Sequence, residues 1–301
     1  MRGRHLCEEL MIEIFTRLPF KTLLQCRSVS KSWYSYIGSP DFIRMYTFRS
    51  QQKLVIRHRT YNENQEGEYE GFYTLHSREK LCPTRGYVGI PQLPFPFSYS
   101  IIVGSCNGIV CLYNYSDNSI KLWNPSIRRT VILPDCPRRC YFEVEVAFGY
   151  DPIADDYNVV RLTIVNVNRD GGSYVYAMKT DAWCLIDSPM PDFRKVKTKA
   201  CFVSGALHWL AQRYKKSNWR DDSWSVEIKL DKSNGVRDLE GVWQLGSTGD
   251  LIFDLYSKGY KVYNPNTWAC SSLVDFNDAY FLLVVLCVES LQLLDIGTSC
   301  Y

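Results

Sequence analysis

Over residues 1–46 the apolar positions recur at helical spacing. Leu6, Leu10, Met11, Ile14, Phe15 and Leu18, placed at ~100° per residue, span roughly half the circumference of a helix. That exceeds the ~100° stripe with which a helix covers a single neighbour. Glu9, Glu13, Thr16 and Arg17 take the remaining side. Pro19 closes the helix, because its ring crowds the helical conformation of the residue before it. The spacing predicts a second short helix through Leu23, Leu24 and Val29, and a third from near Ser30 through Trp33, Tyr34 and Ile37. Gly38-Ser39-Pro40 reads as a break after it.

From about residue 50 the pattern changes. Short apolar runs alternate with Gly, Asn, Asp and Pro turns, as at Lys53 to Ile56, Gly71 to Leu75, Gly108 to Tyr113, Ser119 to Trp123, Val144 to Tyr150 and Asn158 to Val165. The same pattern continues to Tyr260 to Tyr263, and Asn62 to Glu70 reads as a polar loop between strands. Many short strands predict a sandwich, a barrel or a propeller. An internal repeat separates these options. Gly108 to Leu112 is followed by Ile120 to Pro125, and Gly249 to Leu255 by Tyr260 to Pro265. From Gly to Asn is 16 residues in the first and 15 in the second. Each reads as strand, turn, strand and an Asn-Pro turn, where Pro stops the ladder. Trp123, Tyr176 and Tyr263 each open a further turn and return strand, and they lie 53 and then 87 residues apart. The first interval suits one blade of a kelch-like propeller, for which ~50 residues is usual. The second is longer than one blade and shorter than two. A reduced or missing blade is therefore expected after Gly205 to Leu210, where Tyr214 to Ser225 is polar and basic.

Composition narrows the class. Hydrophobic residues make up 46% and charged residues 22% of the 301, a globular balance. Aromatics at 14% suit β structure. A net charge of +3 gives no reason to expect a nucleic-acid or membrane partner. The longest apolar run, Phe281 to Val288, is too short for a membrane helix, which needs about 20 residues, and reads as a buried strand. No signal peptide is read at the start, so the cytoplasm, the nucleus or both are expected, with the twelve cysteines reduced. Cys106 with Cys111 and Cys136 with Cys140 lack a matching second pair, and His5, His58, His76 and His208 are scattered. No metal or other cofactor is expected.

Three short helices make a poor independent domain, because a core that small usually calls for a metal, disulfides or a partner. With the first two unexpected, the surplus apolar arc faces either a partner or the rest of the chain. The pattern alone weighs the two equally. Leu6-Cys7-Glu8-Glu9-Leu10, Ile14, Arg17-Leu18-Pro19, Leu23-Leu24, Arg27 to Trp33 and Ser39 to Ile43 resemble, in order and spacing, the F-box of plant F-box proteins. The resemblance implies binding to the Skp-type adaptor of an SCF (Skp–cullin–F-box) ubiquitin ligase. It implies that Leu6, Leu10, Ile14, Leu18, Pro19, Leu23, Leu24, Val29 and Trp33 contact the adaptor or form the core behind it. Cys7 departs from the Pro usual there, which pre-sets a helix start, and a modest weakening is expected.

Residues 101–301 resemble the F-box-associated domain of the same family through Gly104 to Leu112, Trp123 to Arg129, Leu133-Pro134, Phe148 to Pro152, Asp155 to Val160 and Gly205 to Leu210. The expected fold is α+β and multidomain: a three-helix F-box over 1–46, a connecting region with first strands over 47–100, and an all-β kelch-like propeller over 101–301. The expected role is non-catalytic, holding an unknown protein target for ubiquitination. The alternatives are a stand-alone propeller binding a glycan or a protein, or a decayed member that binds the adaptor alone. Competing chemistry is weak. Cys106 or Cys111 with His208 matches no nucleophile motif, and Gly104 to Gly108 lacks the Lys and hydroxyl of a phosphate loop. Asp155-Asp156 reads as an exposed turn. Arg194, Lys195, Lys197 and Lys199 read as a solvated strand face, with an acidic or RNA partner as the alternative.

Overall fold

The computed structural model describes residues 8–61, 69–77, 92–93, 100–137, 144–163, 173–186, 193–196, 201–203, 206–208, 211–213, 239–245, 251–255, 259–264, 269–274, 283–296 and 298–299. Its helices are α1 (Glu8–Arg17), α2 (Phe20–Arg27), α3 (Lys31–Ile37) and α4 (Pro40–Arg49). Pro19, extended at φ −58° and ψ 146°, separates α1 from α2 as the sequence indicates. α2 stops at Arg27, so Val29 lies in the following turn and not on the helix. There the Ser28 hydroxyl donates to the Gln25 carbonyl (2.7 Å) and competes with a further helical turn. Ser30 caps α3 by accepting the Trp33 N–H (3.2 Å).

The expectation of three helices is corrected to four. Gly38-Ser39-Pro40 ends α3 and also starts α4. The Ser39 hydroxyl accepts the Phe42 N–H (3.3 Å), and Pro40 takes the first helical position. An amide there has no intrahelical partner to lose, and the fixed φ of Pro suits the helix. Ser39→Ala is expected to cost ~1 kcal/mol, read as a lower urea midpoint with an unchanged slope.

The strands run β1 (Gln52–Tyr61), β2 (Tyr69–Ser77), β3 (Gln92–Leu93), β4 (Ser100–Cys106), β5 (Ile109–Asn114), β6 (Ile120–Asn124), β7 (Arg129–Ile132), β8 (Val144–Asp151), β9 (Asp156–Thr163), β10 (Tyr174–Ala177) and β11 (Ala182–Leu185). They continue as β12 (Phe193–Val196), β13 (Cys201–Val203), β14 (Ala206–His208), β15 (Ala211–Arg213), β16 (Leu239–Leu245), β17 (Leu251–Leu255), β18 (Gly259–Asn264), β19 (Ala269–Val274), β20 (Leu283–Val288) and β21 (Thr298–Ser299). Three sheets are antiparallel meanders in chain order: β4 to β7, β8 to β11 and β16 to β19, with β21 added beside β7. In the fourth, β20 pairs with β1, giving the order β20-β1-β2-β3. Residues 52–93, expected to hold a connector and first strands, thus supply three strands of a sheet that residues 283–288 complete.

One strand from each unit takes part in a cycle of contacts: β20 against β4, β4 against β8, β8 against β13, β13 against β16, and β16 against β20. This is a closed propeller ring of five units among the described residues. The remaining unit is made of β12 to β15. Among the described residues its strands have three or four residues and pair as β12 with β15 and β13 with β14. Residues 214–238, where a reduced or missing blade is expected from the polar stretch, lie outside the described residues, as do 62–68, Lys197 and Lys199. Trp123, Tyr176 and Tyr263 each sit on the third strand of a unit and pair with a return strand, and the unit of β12 to β15 falls within the longer interval.

Hairpin turns share a device. The Tyr113, Tyr150 and Tyr176 hydroxyls each donate to an Asn or Asp five residues on: Asn118 (2.6 Å), Asp155 and Asp181 (2.7 Å). Those acceptors have φ of 59°, 53° and 49°, the left-handed region that Asn and Asp tolerate. Asn107-Gly108 links β4 to β5 with both φ values positive, the two-residue turn that matches strand twist. Asp155 is exposed, as expected. Asp156 is not. It is buried, and its carboxylate accepts the N–H groups of Tyr157 (2.8 Å) and Lys179 (3.1 Å), tying the β8–β9 turn to the β10–β11 turn.

Two cores fill the described ring. One packs Ile109, Leu122, Phe148 and Val159 between neighbouring units. The other joins Val55, Tyr73, Ile102, Trp123 and Val285. A third lies within the helices, on Phe15, Leu23, Ile37, Phe42 and Tyr46, and it also takes in Leu291 and Leu294, which follow β20.

Candidate docking surface

α1 divides its apolar residues between two directions. Met11 and Phe15, with Leu18 just past the end of α1, point into the helical core. Leu10 and Ile14, one turn apart and ~90° round the helix from that group, are 55% and 48% exposed. The surplus arc is therefore real: one half is covered by the chain and the other is open. The helices pack on the rest of the chain and still present apolar surface.

The nine candidate residues separate accordingly. Leu10, Ile14, Pro19 and Val29 are exposed. Leu23 is fully buried, and Leu18, Leu24 and Trp33 are half-buried against the same core. Trp33 meets Phe15 edge-on at 5.0 Å. Leu6 and Cys7 lie outside the described residues. A charge at Leu18 or Leu24 would thus disturb the helical core before it tested any contact.

Two exposed aromatic residues were not among the candidates. Tyr34 is half exposed, with the Arg27 guanidinium 3.9 Å from its ring centre. Phe48 is 90% exposed on α4, directed away from Phe42 and Tyr46. Tyr34 was legible from its place in the third helical pattern. Phe48 has no signal in the sequence pattern, because it lies on α4, beyond the apparent break at Gly38-Ser39-Pro40.

Polar contacts fix α1 on α4. The Arg49 guanidinium donates to the Glu13 carboxylate (3.0 Å) and to the Thr16 hydroxyl (2.8 Å), and Arg17 pairs with Glu13 at 2.5 Å. Arg49, and then Arg17, hold the Glu13 carboxyl below the usual carboxylate range. A lowered value means that this tether is complete at neutral pH and is lost as pH falls through the carboxylate range. The group is exposed, so its stabilisation is small.

Three described thiols are shut away from chemistry by burial. Burial pushes Cys106 and Cys287 up to about 12 and Cys111 higher still. Thiols so placed stay protonated and inert at neutral pH. Peptide mapping after a short maleimide pulse is expected to find Cys184, which is exposed, modified at once. Cys106, Cys111 and Cys287 should react only on unfolding. His208 lies on β14, opposite Cys201. Among the described residues there is no grouping of metal ligands, and no helix is long and apolar enough to cross a membrane.

Comparison with known proteins agrees with this geometry. Residues 4–45 match the F-box domain, and residues 48–228, more than half the chain, match the F-box associated beta propeller domain. A putative F-box protein of Arabidopsis thaliana is 30% identical over 217 residues, covering 70% of this chain and 55% of the relative. F-box protein CPR1 of the same plant is 30% identical over 238 residues, covering 68% of this chain and 53% of its own length. An F-box/kelch-repeat protein, also from Arabidopsis thaliana, is 25% identical over 294 residues, covering 90% and 76%. The chain spans between half and two thirds of the length of most of these relatives.

Proposed function

The chain belongs to the plant F-box proteins that carry an F-box-associated β-propeller, and on that premise we propose that it is the substrate-recognition subunit of an SCF-type ubiquitin ligase. The supporting observation is the open half of the α1 apolar arc, Leu10 and Ile14, with Val29 exposed beside α3. A Skp-type adaptor with an apolar groove would cover these residues, as grooves receive the apolar face of an amphipathic helix. The propeller would hold a protein target through its loops, which is where such scaffolds carry specificity. The chain itself makes no covalent bond in this role. It raises the effective concentration of target lysines beside the conjugating enzyme. The cytoplasm, the nucleus or both are the proposed locations.

The test is affinity purification of the intact chain from plant cells with the proteasome inhibited. Recovery of the adaptor and cullin, with a protein that accumulates only under inhibition, supports the reading. Recovery of a ligand without adaptor or cullin would favour the stand-alone binding module.

A further inference from the structure

Seven residues after β20 belong to both parts of the molecule. Leu291 and Leu294, at 0% and 7% exposure, lie in the helical core, while Leu293 between them lies in the ring core. Leu293 adopts φ 67°, a conformation L side chains rarely take, and its neighbours are thereby turned to the opposite side. Asp295 then reaches the helices. The Arg27 guanidinium on α2 donates to both its oxygens (2.7 and 3.0 Å), and the Tyr34 hydroxyl on α3 donates to one of them (3.2 Å). Gly38 leaves the room: a Cβ there would sit 3.2 Å from both Arg27 and Asp295.

The other side of the segment is fixed by the ring. The Asn124 side-chain amide donates to the carbonyls of Ser290 (3.0 Å) and Gln292 (2.7 Å), and its own carbonyl accepts the Ser126 N–H (2.9 Å). Ser290 sits so close to the Asn107-Gly108 turn that a Cβ on Gly108 would meet its Cβ at 2.2 Å. Its hydroxyl also lies 3.2 Å from that of Thr47 on α4. β20 delivers the segment to this place, and β20 is the strand that closes the ring on β1.

We propose that Ser290–Ile296 is a clamp that makes the finished docking helices conditional on a closed ring. A chain whose β20 has not paired leaves the helical core without Leu291 and Leu294, and Arg27 without its carboxylate. Only a receptor with a closed ring presents complete helices. The biological meaning rests on the docking role proposed above; the physical coupling does not.

Amide hydrogen exchange on the intact chain, with no adaptor present, tests the coupling. Leu291→Ala with Leu294→Ala is expected to speed exchange in α2 and α3 more than tenfold while β5 and β9 keep their protection. Asp295→Ala, a half-exposed site, should raise α2 and α3 exchange threefold or more and leave the ring unchanged. Val285→Ala packs in the ring core, outside the helical core, and should loosen α2 and α3 together with β1. Wild-type protection of α2 and α3 in the first two variants overturns the proposal, as does loosening of β1 alone in the third. If the double variant unfolds the ring, Asp295→Ala decides. A separate pull-down reads the docking role. Exchange results as expected with no adaptor captured by the wild type would leave the clamp standing and remove its proposed use.

Discussion

Leu10→Glu with Ile14→Lys is expected to abolish capture of the Skp-type adaptor without unfolding the chain. Both side chains are half exposed, so neither change opens a cavity. Placed four residues apart with Glu first, the new pair supports the helix by a few tenths of a kcal/mol. On docking, both charges would be driven out of water against an apolar groove, where neither finds a partner. Affinity should fall at least ~100-fold, about 2.8 kcal/mol, as for central interface anchors. The measurement is titration calorimetry beside a urea melt. Near-normal affinity with an unchanged melt would place the interface elsewhere, and Phe48 would be the next residue to change.

Trp123→Ala is expected to destabilise the ring by about 3–5 kcal/mol, the usual range for deleting a fully buried large aromatic. Trp123 is 1% exposed and meets Tyr73 edge-on at 5.6 Å. Tyr73 is on β2 and Trp123 on β6, so the pair joins the unit that β20 closes to the next unit. The loss should appear as a lower urea midpoint with the helices and the ring melting together. Trp123→Phe keeps part of the contact and should lose less. A change under about 1 kcal/mol for the alanine variant would mean the unit boundary is not held here.

Local signals in the sequence reached far. The three aromatic anchors do occupy equivalent strands, and the longer of their intervals contains the unit of β12 to β15. Pro19 marked the end of α1 and the start of α2, while the helix expected through Val29 stops at Arg27. The pattern failed at Pro40, because the same Pro that terminates a helix from inside starts one from its first position. A Ser immediately before that Pro was the signal to read. Tyr followed five residues later by Asn or Asp, at Tyr113, Tyr150 and Tyr176, was a further legible turn signature.

Non-local features had no such signature. Nothing near Gln52 announces that it pairs with Val288, since strand pairing across the ring is settled by tertiary packing. The Asn of the Asn-Pro turn was visible as a repeat, yet its use at Asn124, holding two carbonyls beyond β20, depends on a segment 166 to 168 residues away. The docking arc was legible in extent but not in division. Which apolar residues of α1 face outward is decided by α2, α3, α4 and Leu291, none of which the periodicity of α1 contains.

The central claim is that the open face of the helices, on a chain whose ring is closed, is the surface that engages the adaptor. The most direct measurement is hydrogen exchange of the intact chain with and without a purified Skp-type adaptor. The account expects a stable complex in which α1 and the turn at Val29 gain protection while β5, β9 and the other ring strands stay as they were. No complex, or protection confined to the propeller, would contradict it.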